Sequence, residues 1–186
     1  MKIKPAAPRI VVTDRTVFVQ PKLEYFPEIY RILSNPKVMQ YVTTGKRSKA
    51  ETKQEIIDWM KHWKKHGFGP YLVLDKREGN LIAFAKLYLS SRSPWVQVGY
   101  AIDDHLWGIG LGSEIAKSLL KIGFENLGEE ALSGFARVEN KPSRRILEKS
   151  GFQLQTENFQ QENRIYAHYT LDAADYFQMQ GFRQAS

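Results

Sequence analysis

The sequence predicts one α+β domain, residues 1–186, built around a mixed sheet. Three observations predict it. Strand-like segments outnumber helical ones, in the order β-α-α-β-β-β-α-β-α-β-β. Several neighbouring strands are joined by turns short enough for hairpins. The chain has 186 residues, 42% of them apolar, which suits a single hydrophobic core. No repeat, low-complexity segment or long linker divides it.

Each element has its own signal. PRIVVTDRTVFVQPK (8–22) alternates β-branched and polar residues and reads as a first strand, with room for another before it. EYFPEIYRILSNPKV (24–38) carries Phe26, Ile29, Tyr30 and Leu33 as one helical stripe, ended by Asn35-Pro36. In residues 45–69, Ile56, Trp59, Met60 and Trp63 fall at helical spacing, and Gly67 stops the helix. YLVLDKREGNLIAFAKLYL (71–89) is two apolar runs around a turn, a hairpin pattern. WVQVGYAI (95–102) is the next strand. A long helix follows, with Ile115, Leu119 and Ile122 beside Ala116, Leu120, Phe124 and Leu127, so one broad face is buried. ALSGFARV (131–138) is a strand. PSRRILEKSGF (142–152) is a short helix with Pro142 near its start and Gly151 past its end. FQLQTENF and NRIYAHYTL close the chain as two strands.

Composition narrows the function. No apolar run is long enough to span a membrane, and the first residues lack the apolar stretch of a secretory signal. The chain has no cysteine, so disulfides and thiolate metal sites are excluded; a cytoplasmic protein without a metal is the expectation. The net charge of +7 favours anionic partners, but it is spread along the chain. KHWKKHG (61–67) and Arg144-Arg145 are its densest clusters. Direct nucleic-acid binding is therefore not expected.

One stretch asks for chemistry. HLWGIGLGSEIAKSLL (105–120) places Gly108, Gly110 and Gly112 at alternate positions immediately before a helix. Backbone amides in a turn and in an open first helical turn can converge on a phosphate. Side chains at the glycines would obstruct that approach, and glycine permits positive φ. Ser113 could add a hydroxyl. The spacing G-x-G-x-G is not that of a dinucleotide fingerprint, and no Gly-Lys-Ser/Thr is present. On spacing alone, a phosphate cradle and a plain strand-to-helix turn both remain open.

The surroundings carry a resemblance. VGYAIDDHLWGIGLGSEIAKSLLKIGFENLG, followed by ARVENKPSRRILEKSGF, resembles the GNAT acyltransferase superfamily, and most of all its ribosomal-protein N-terminal acetyltransferase (Rim-type) branch. Trp107 to Glu114 matches the branch's Trp-Gly-x-Gly turn. Asn140, Ser143 and the run Leu147 to Phe152 match its later Asn-x-x-Ser and Gly-Phe motif. The likeness extends loosely over residues 13–171.

The resemblance implies a GNAT-like fold: a V-shaped, mostly antiparallel sheet of about six or seven strands, flanked by about four helices. It implies acetyl-CoA as acyl donor, lying where WVQVGYAI and ALSGFARV splay apart. Backbone groups near Ala101, Ile102 and Asp103 would pair with its pantetheine arm. The amides of Gly108, Ile109, Gly110, Leu111, Gly112 and Ser113 would hold its pyrophosphate. Asn140 would bond the pantetheine. Arg144, Arg145 and Lys149 are candidates for the nucleotide phosphates, or simply a solvated helix face. The reaction would be acetyl transfer to a primary amine, on a small molecule or a protein N-terminus. Ser143 would give a proton to the departing thiolate, its structural alternative being a helix cap.

The chain departs from the branch at one point. Many members carry Glu in a V-E-x-G-Y strand, whereas this strand reads Val96-Gln97-Val98-Gly99-Tyr100. Gln97 takes up no proton at neutral pH, though it can orient a water. His105 and Asp103, or Glu162 and His168 from the final hairpin, stand as alternative bases. The loss of Glu also keeps open a catalytically degenerate acyl-CoA-binding module of the same fold. Tyr41, Thr43, Tyr88 and Trp95 are candidate acceptor-cleft residues. A homodimer is compatible with the sequence, but no feature requires one.

Overall fold

The computed structural model describes residues 5–42 and 44–184, with backbone alone for 182–184. Thr43 lies outside the described residues. The order is β1 (Ile10–Val12), β2 (Thr16–Val19), α1 (Phe26–Ser34), α2 (Pro36–Met39), α3 (Lys49–His66), β3 (Pro70–Asp75), β4 (Leu81–Tyr88), β5 (Val96–Ile102), α4 (Leu111–Lys121), β6 (Ala131–Arg137), α5 (Lys141–Lys149), β7 (Gln153–Gln161), β8 (Arg164–Asp172) and α6 (Ala173–Gln184). No described helix is long and apolar enough to cross a membrane.

Local chemistry explains the boundaries. The first alternating segment is itself a hairpin, closed where the Thr13 N–H bonds the Thr16 carbonyl. Asn35 ends α1 and caps α2, its side chain accepting from the Lys37 N–H. Ser48 and Glu51 form a reciprocal capping box on α3, and Gly67 ends it at φ 75°. Ile56, Trp59 and Trp63 are buried as the stripe predicts, but Met60 is 41% exposed. It stands one helical step, about 100°, from Trp59 and falls on the rim of the buried face.

The eight strands of the described residues run β1-β2-β3-β4-β5-β6-β8-β7. Every pairing is antiparallel except β5 with β6. Helices α1, α2 and α3 cover one sheet face through Ile29, Ile32, Leu33, Ile56 and Trp59 against Leu72, Phe84 and Ala101. On the other face Ile115, Leu119 and Leu147 pack against Val98, Ile102, Leu132 and Tyr169.

The chain does not close on two strands. Helix α6 follows β8, its first amide bonded to the Glu130 carbonyl. Its buried Tyr176 stacks on Phe124 at 4.7 Å and donates to Glu125. Few apolar residues anchor this helix among its glutamines, so its periodicity is weak in the sequence.

Candidate active site

The site begins where two parallel strands part. β5 and β6 pair only at Val96–Leu132, Gln97–Ser133 and Val98–Gly134. Beyond Val98, β5 continues to Ile102 with β4 on its other edge only. The Asp103 N–H bonds the Ile82 carbonyl, and alternation along an antiparallel ladder sets the rest. Ala101 directs its main-chain groups to β4, while those of Tyr100 and Ile102 face the gap. The Ile102 carbonyl accepts from the Trp107 indole N–H at 2.9 Å. Of the expected pair, Ile102 therefore faces the gap and Ala101 does not.

At the end of β5 the glycine turn enters α4. Gly108 and Gly110 stand at φ 84° and 81°, a left-handed conformation that side chains rarely adopt. Gly110 is the N-cap of α4, and no side chain caps the helix. The N–H groups of Leu111, Gly112 and Ser113 are thus the open end of an 11-residue helix, with geometry suited to an oxyanion.

Gly112 also stands at a close packing contact. A Cβ on Gly112 would lie 2.6 Å from Ile146 Cδ1 and 3.4 Å from Ile102 Cδ1. The close approach of α4 to α5 and β5 is thus a further use of a glycine at this position. Gly112→Ala should change stability by less than about 1 kcal/mol, because the Ile146 terminal methyl can turn aside and alanine favours the helix, and Ile146→Val should remove any remaining cost. Chemical denaturation of the single and double variants tests this.

The turn is braced from far away in sequence. Glu114, in the first turn of α4, accepts from Thr13 Oγ1 and Arg15 Nε, each at 2.6 Å, and Arg15 Nη1 bonds the Ile109 carbonyl at 2.8 Å. Burial opposes charge on Glu114, but these bonds outweigh it and hold the carboxyl below its usual pKa. Sequence reasoning missed Thr13 and Arg15, because nothing local marks a contact about a hundred residues distant.

Across the gap, α5 supplies the second motif. The Asn140 side chain accepts from the Ser143 N–H at 3.2 Å, so Asn140 is the helix cap and its carbonyl oxygen is already engaged. Ser143 is not the cap; its Oγ lies 3.4 Å from the Tyr100 hydroxyl. Burial pushes the Tyr100 phenol up to about 12, so it remains a proton donor through neutral pH. Arg144 is committed elsewhere, to the Tyr169 hydroxyl, the Val138 carbonyl and Glu157. Arg145 and Lys149 are exposed, one helical turn apart.

Asp103 is removed from the list of bases and donor ligands. It is 3% exposed and ion-paired with Arg31 of α1, which also donates to the Leu81 carbonyl. Its other oxygen lies 3.2 Å from His105 Nδ1. The cluster locks α1 to the end of β5. Arg31→Met leaves a buried carboxylate without its cation and should cost about 2–3 kcal/mol, read by thermal unfolding. His105 shares this end of the strand. Gln97 lies six residues before Asp103, roughly 20 Å away along an extended strand. His105 and Gln97 therefore cannot serve the same proton.

The face of the sheet below α3 holds a cavity of about 350 Å³, walled by Arg47, Glu55, Trp59, Lys86, Tyr88 and Arg92. Burial opposes charge on Glu55, but Lys86 and Arg47, each at 3.0 Å, outweigh it and lower its pKa. Tyr88 lies over Gly99, where a Cβ would meet its ring at 3.6 Å, so the cavity adjoins the point at which β5 and β6 part. Of the expected cleft residues that are described, Tyr88 lines it, and Tyr41 and Trp95 lie outside its wall. Glu162 stands in the exposed β7–β8 turn at φ 47°. Gln97 is 1% exposed; it donates to Ser90, and its carbonyl oxygen is enclosed without a partner. Among the described residues, no group of three or more His, Asp or Glu side chains could hold a metal.

Known proteins share this fold. A family model described as "Acetyltransferase (GNAT) domain" matches residues 15–153. YoaA of Bacillus subtilis, described as an uncharacterized N-acetyltransferase, is 25% identical over 146 residues, covering 77% of this chain and 82% of that one. The ribosomal-protein-S5-alanine acetyltransferase of Vibrio fischeri superposes with a TM-score of 0.73 at 16% identity, over 90% of this chain and 98% of that one. RimL, a ribosomal L7/L12 α-N-protein acetyltransferase solved in complex with coenzyme A, superposes with a TM-score of 0.75 at 15% identity, over 90% and 99%.

Proposed function

Since the chain belongs to the acetyltransferase (GNAT) domain family, we propose that it moves an acetyl group from acetyl-CoA directly to a primary amine. One observation carries the reading. The gap between β5 and β6 opens on one face toward the glycine turn and α5, and on the other toward the cavity under α3. A donor and an acceptor can thus meet from opposite sides of the sheet.

Each residue then has a task. The Gly108–Ser113 turn holds the pyrophosphate, with Arg15 and Glu114 fixing its shape. Main-chain groups of Tyr100 and Ile102 hold the pantetheine as a further strand would. Arg145 and Lys149 meet the remaining phosphate charge. An N–H of β5 at Tyr100 polarises the thioester oxygen as negative charge gathers there. The amine attacks from the cavity side. The sulfur departs toward Ser143 and Tyr100, and the Ser143 hydroxyl, backed by the phenol, supplies its proton.

The acceptor is a small amine or a peptide N-terminus. Gln97 sustains the second reading, an acyl-CoA-binding module without turnover. Calorimetry with acetyl-CoA, then thiol release with a panel of amines, separates the two. Binding with turnover supports the enzyme, and binding with none supports the module. Absence of binding overturns both.

A further inference from the structure

Enclosed, unpartnered polar atoms on the acceptor side of the gap include Gln97 Oε1, Ser133 Oγ and His168 Nε2, with Arg137 Nε and, in the cavity wall, His62 Nε2. Gln97 and Ser133 are 1% and 0% exposed. Their placement is a consequence of register. Gln97 faces Ser133 across β5 and β6, and Phe135 faces His168 across β6 and β8. Partners in a ladder project to the same face, and diagonal neighbours lie about 7–8 Å apart. Ser133 on β6 thus stands between Gln97 on β5 and His168 on β8, all on the sheet face that carries Tyr88 and Gly99.

A buried polar group left unmade costs about 1–3 kcal/mol. Internal water, which needs two to four polar partners, can satisfy such neighbouring groups together. Gln97 Oε1 can only accept, the Ser133 hydroxyl can donate, and a neutral imidazole nitrogen can accept. Water linking them has a proton to pass toward His168 and a bond from Ser133 to hold it in place. The imidazole is fixed for this purpose, stacked on Phe135 at 4.4 Å and 7°.

We infer that His168 is the terminal proton acceptor of the reaction, reached through internal water that Gln97 and Ser133 position. The inference rests on the acetyl-transfer reading. As the amine nitrogen bonds to the acetyl carbon, its proton passes to the water, and a proton of the water passes to Nε2. The C–S bond breaks and the sulfur takes its proton from Ser143. The imidazolium then releases its proton to solvent and the Ser143–Tyr100 hydroxyl pair takes one back from solvent, so amine and acetyl-CoA become amide and free thiol with both residues restored. Gln97 thereby does by positioning what a glutamate would do by ionising.

Burial favours the neutral form of His168. The charged groups on this face are Arg92, whose guanidinium lies 5.7 Å from Phe135 and 4.9 Å from Tyr166, Arg137, ion-paired with Glu139, Arg164, which donates to the Val42 carbonyl, and, in the cavity wall, Asp58, His62 and the Glu55–Lys86–Arg47 group. The phenols of Tyr88 and Tyr166 are the other titratable neighbours. Burial lowers the imidazole pKa from its ordinary value of 6.5. A base with a lowered pKa is ready at neutral pH and fails only as the pH falls through that lowered value.

The test uses the whole chain, acetyl-CoA and a panel of primary amines: the common amino acids, tripeptides with a free N-terminus, and phenylethylamine. With the best acceptor, His168→Gln should lower kcat about 10- to 100-fold at pH 7 and leave acetyl-CoA affinity unchanged. The ratio of wild-type to variant rates cancels the amine's own titration, and should fall toward one as pH drops below the ordinary histidine range. Imidazole should restore part of the rate of His168→Ala. Ser133→Ala should lower kcat with the same pH dependence. In a Gln97→Glu background, where a carboxylate can take the proton, His168→Gln should cost less than threefold. Wild-type turnover that His168→Gln leaves unchanged, or lowers equally at every pH and in both backgrounds, overturns the inference alone. Acetyl-CoA binding without turnover of any amine overturns the acetyl-transfer reading with it.

Discussion

Gly110→Asp is expected to lose acetyl-CoA binding by about 100-fold or more while the chain stays folded. Two effects add. The residue stands at φ 81°, where a side chain costs about 1–2 kcal/mol. The new carboxylate would also stand at the open N-terminus of α4, in the place proposed for the pyrophosphate, and like charges repel there. The nearest atom to its Cβ is Arg15 Nη2 at 3.9 Å, so no core packing is disturbed. Gly110→Ala carries the strain without the charge and should fall between. Calorimetry with acetyl-CoA on the three proteins reads the series, and wild-type affinity in Gly110→Asp would place the phosphates elsewhere.

The second large effect is expected at the departing sulfur. Ser143→Ala should lower kcat about 100-fold, within the range of a lost general acid, with little change in acetyl-CoA affinity. Tyr100→Phe should act in the same direction. Because the two hydroxyls lie 3.4 Å apart and serve one proton, the double variant should cost little more than the worse single one. The pH dependence has a definite sign. The phenol sits near 12 because burial disfavours its charged form. It stays protonated below that value, so the acid should not be lost between pH 7 and 10. Pre-steady-state thiol release measures this, and fully additive losses would assign the hydroxyls separate roles.

The N-terminal hairpin shows how far a functional part can lie from its motif. Thr13 and Arg15 grip Glu114 across 101 and 99 residues. The family turn is visible as a string of glycines, yet the residues that hold it still belong to another strand pair. Asp103 shows the converse. It stands beside the motif in sequence, but Arg31 and His105 occupy its carboxylate.

The sequence by itself determined the order of the main elements from α1 to β8, the α+β class, both family motifs and the replacement of glutamate by Gln97. These are local properties: apolar period, caps, glycine at positive φ, and motif spacing. It left α6 unseen, because that helix is held by Tyr176 on Phe124 rather than by a strong apolar stripe. Only the tertiary structure decided which glycine serves packing, that Asn140 rather than Ser143 caps α5, and that the enclosed atoms of Gln97, Ser133 and His168 share one face. The physical reason is register. Side chains alternate across a strand, so a one-residue difference in pairing sends a group to the opposite face, and pairing between distant strands is written in no single stretch of the chain.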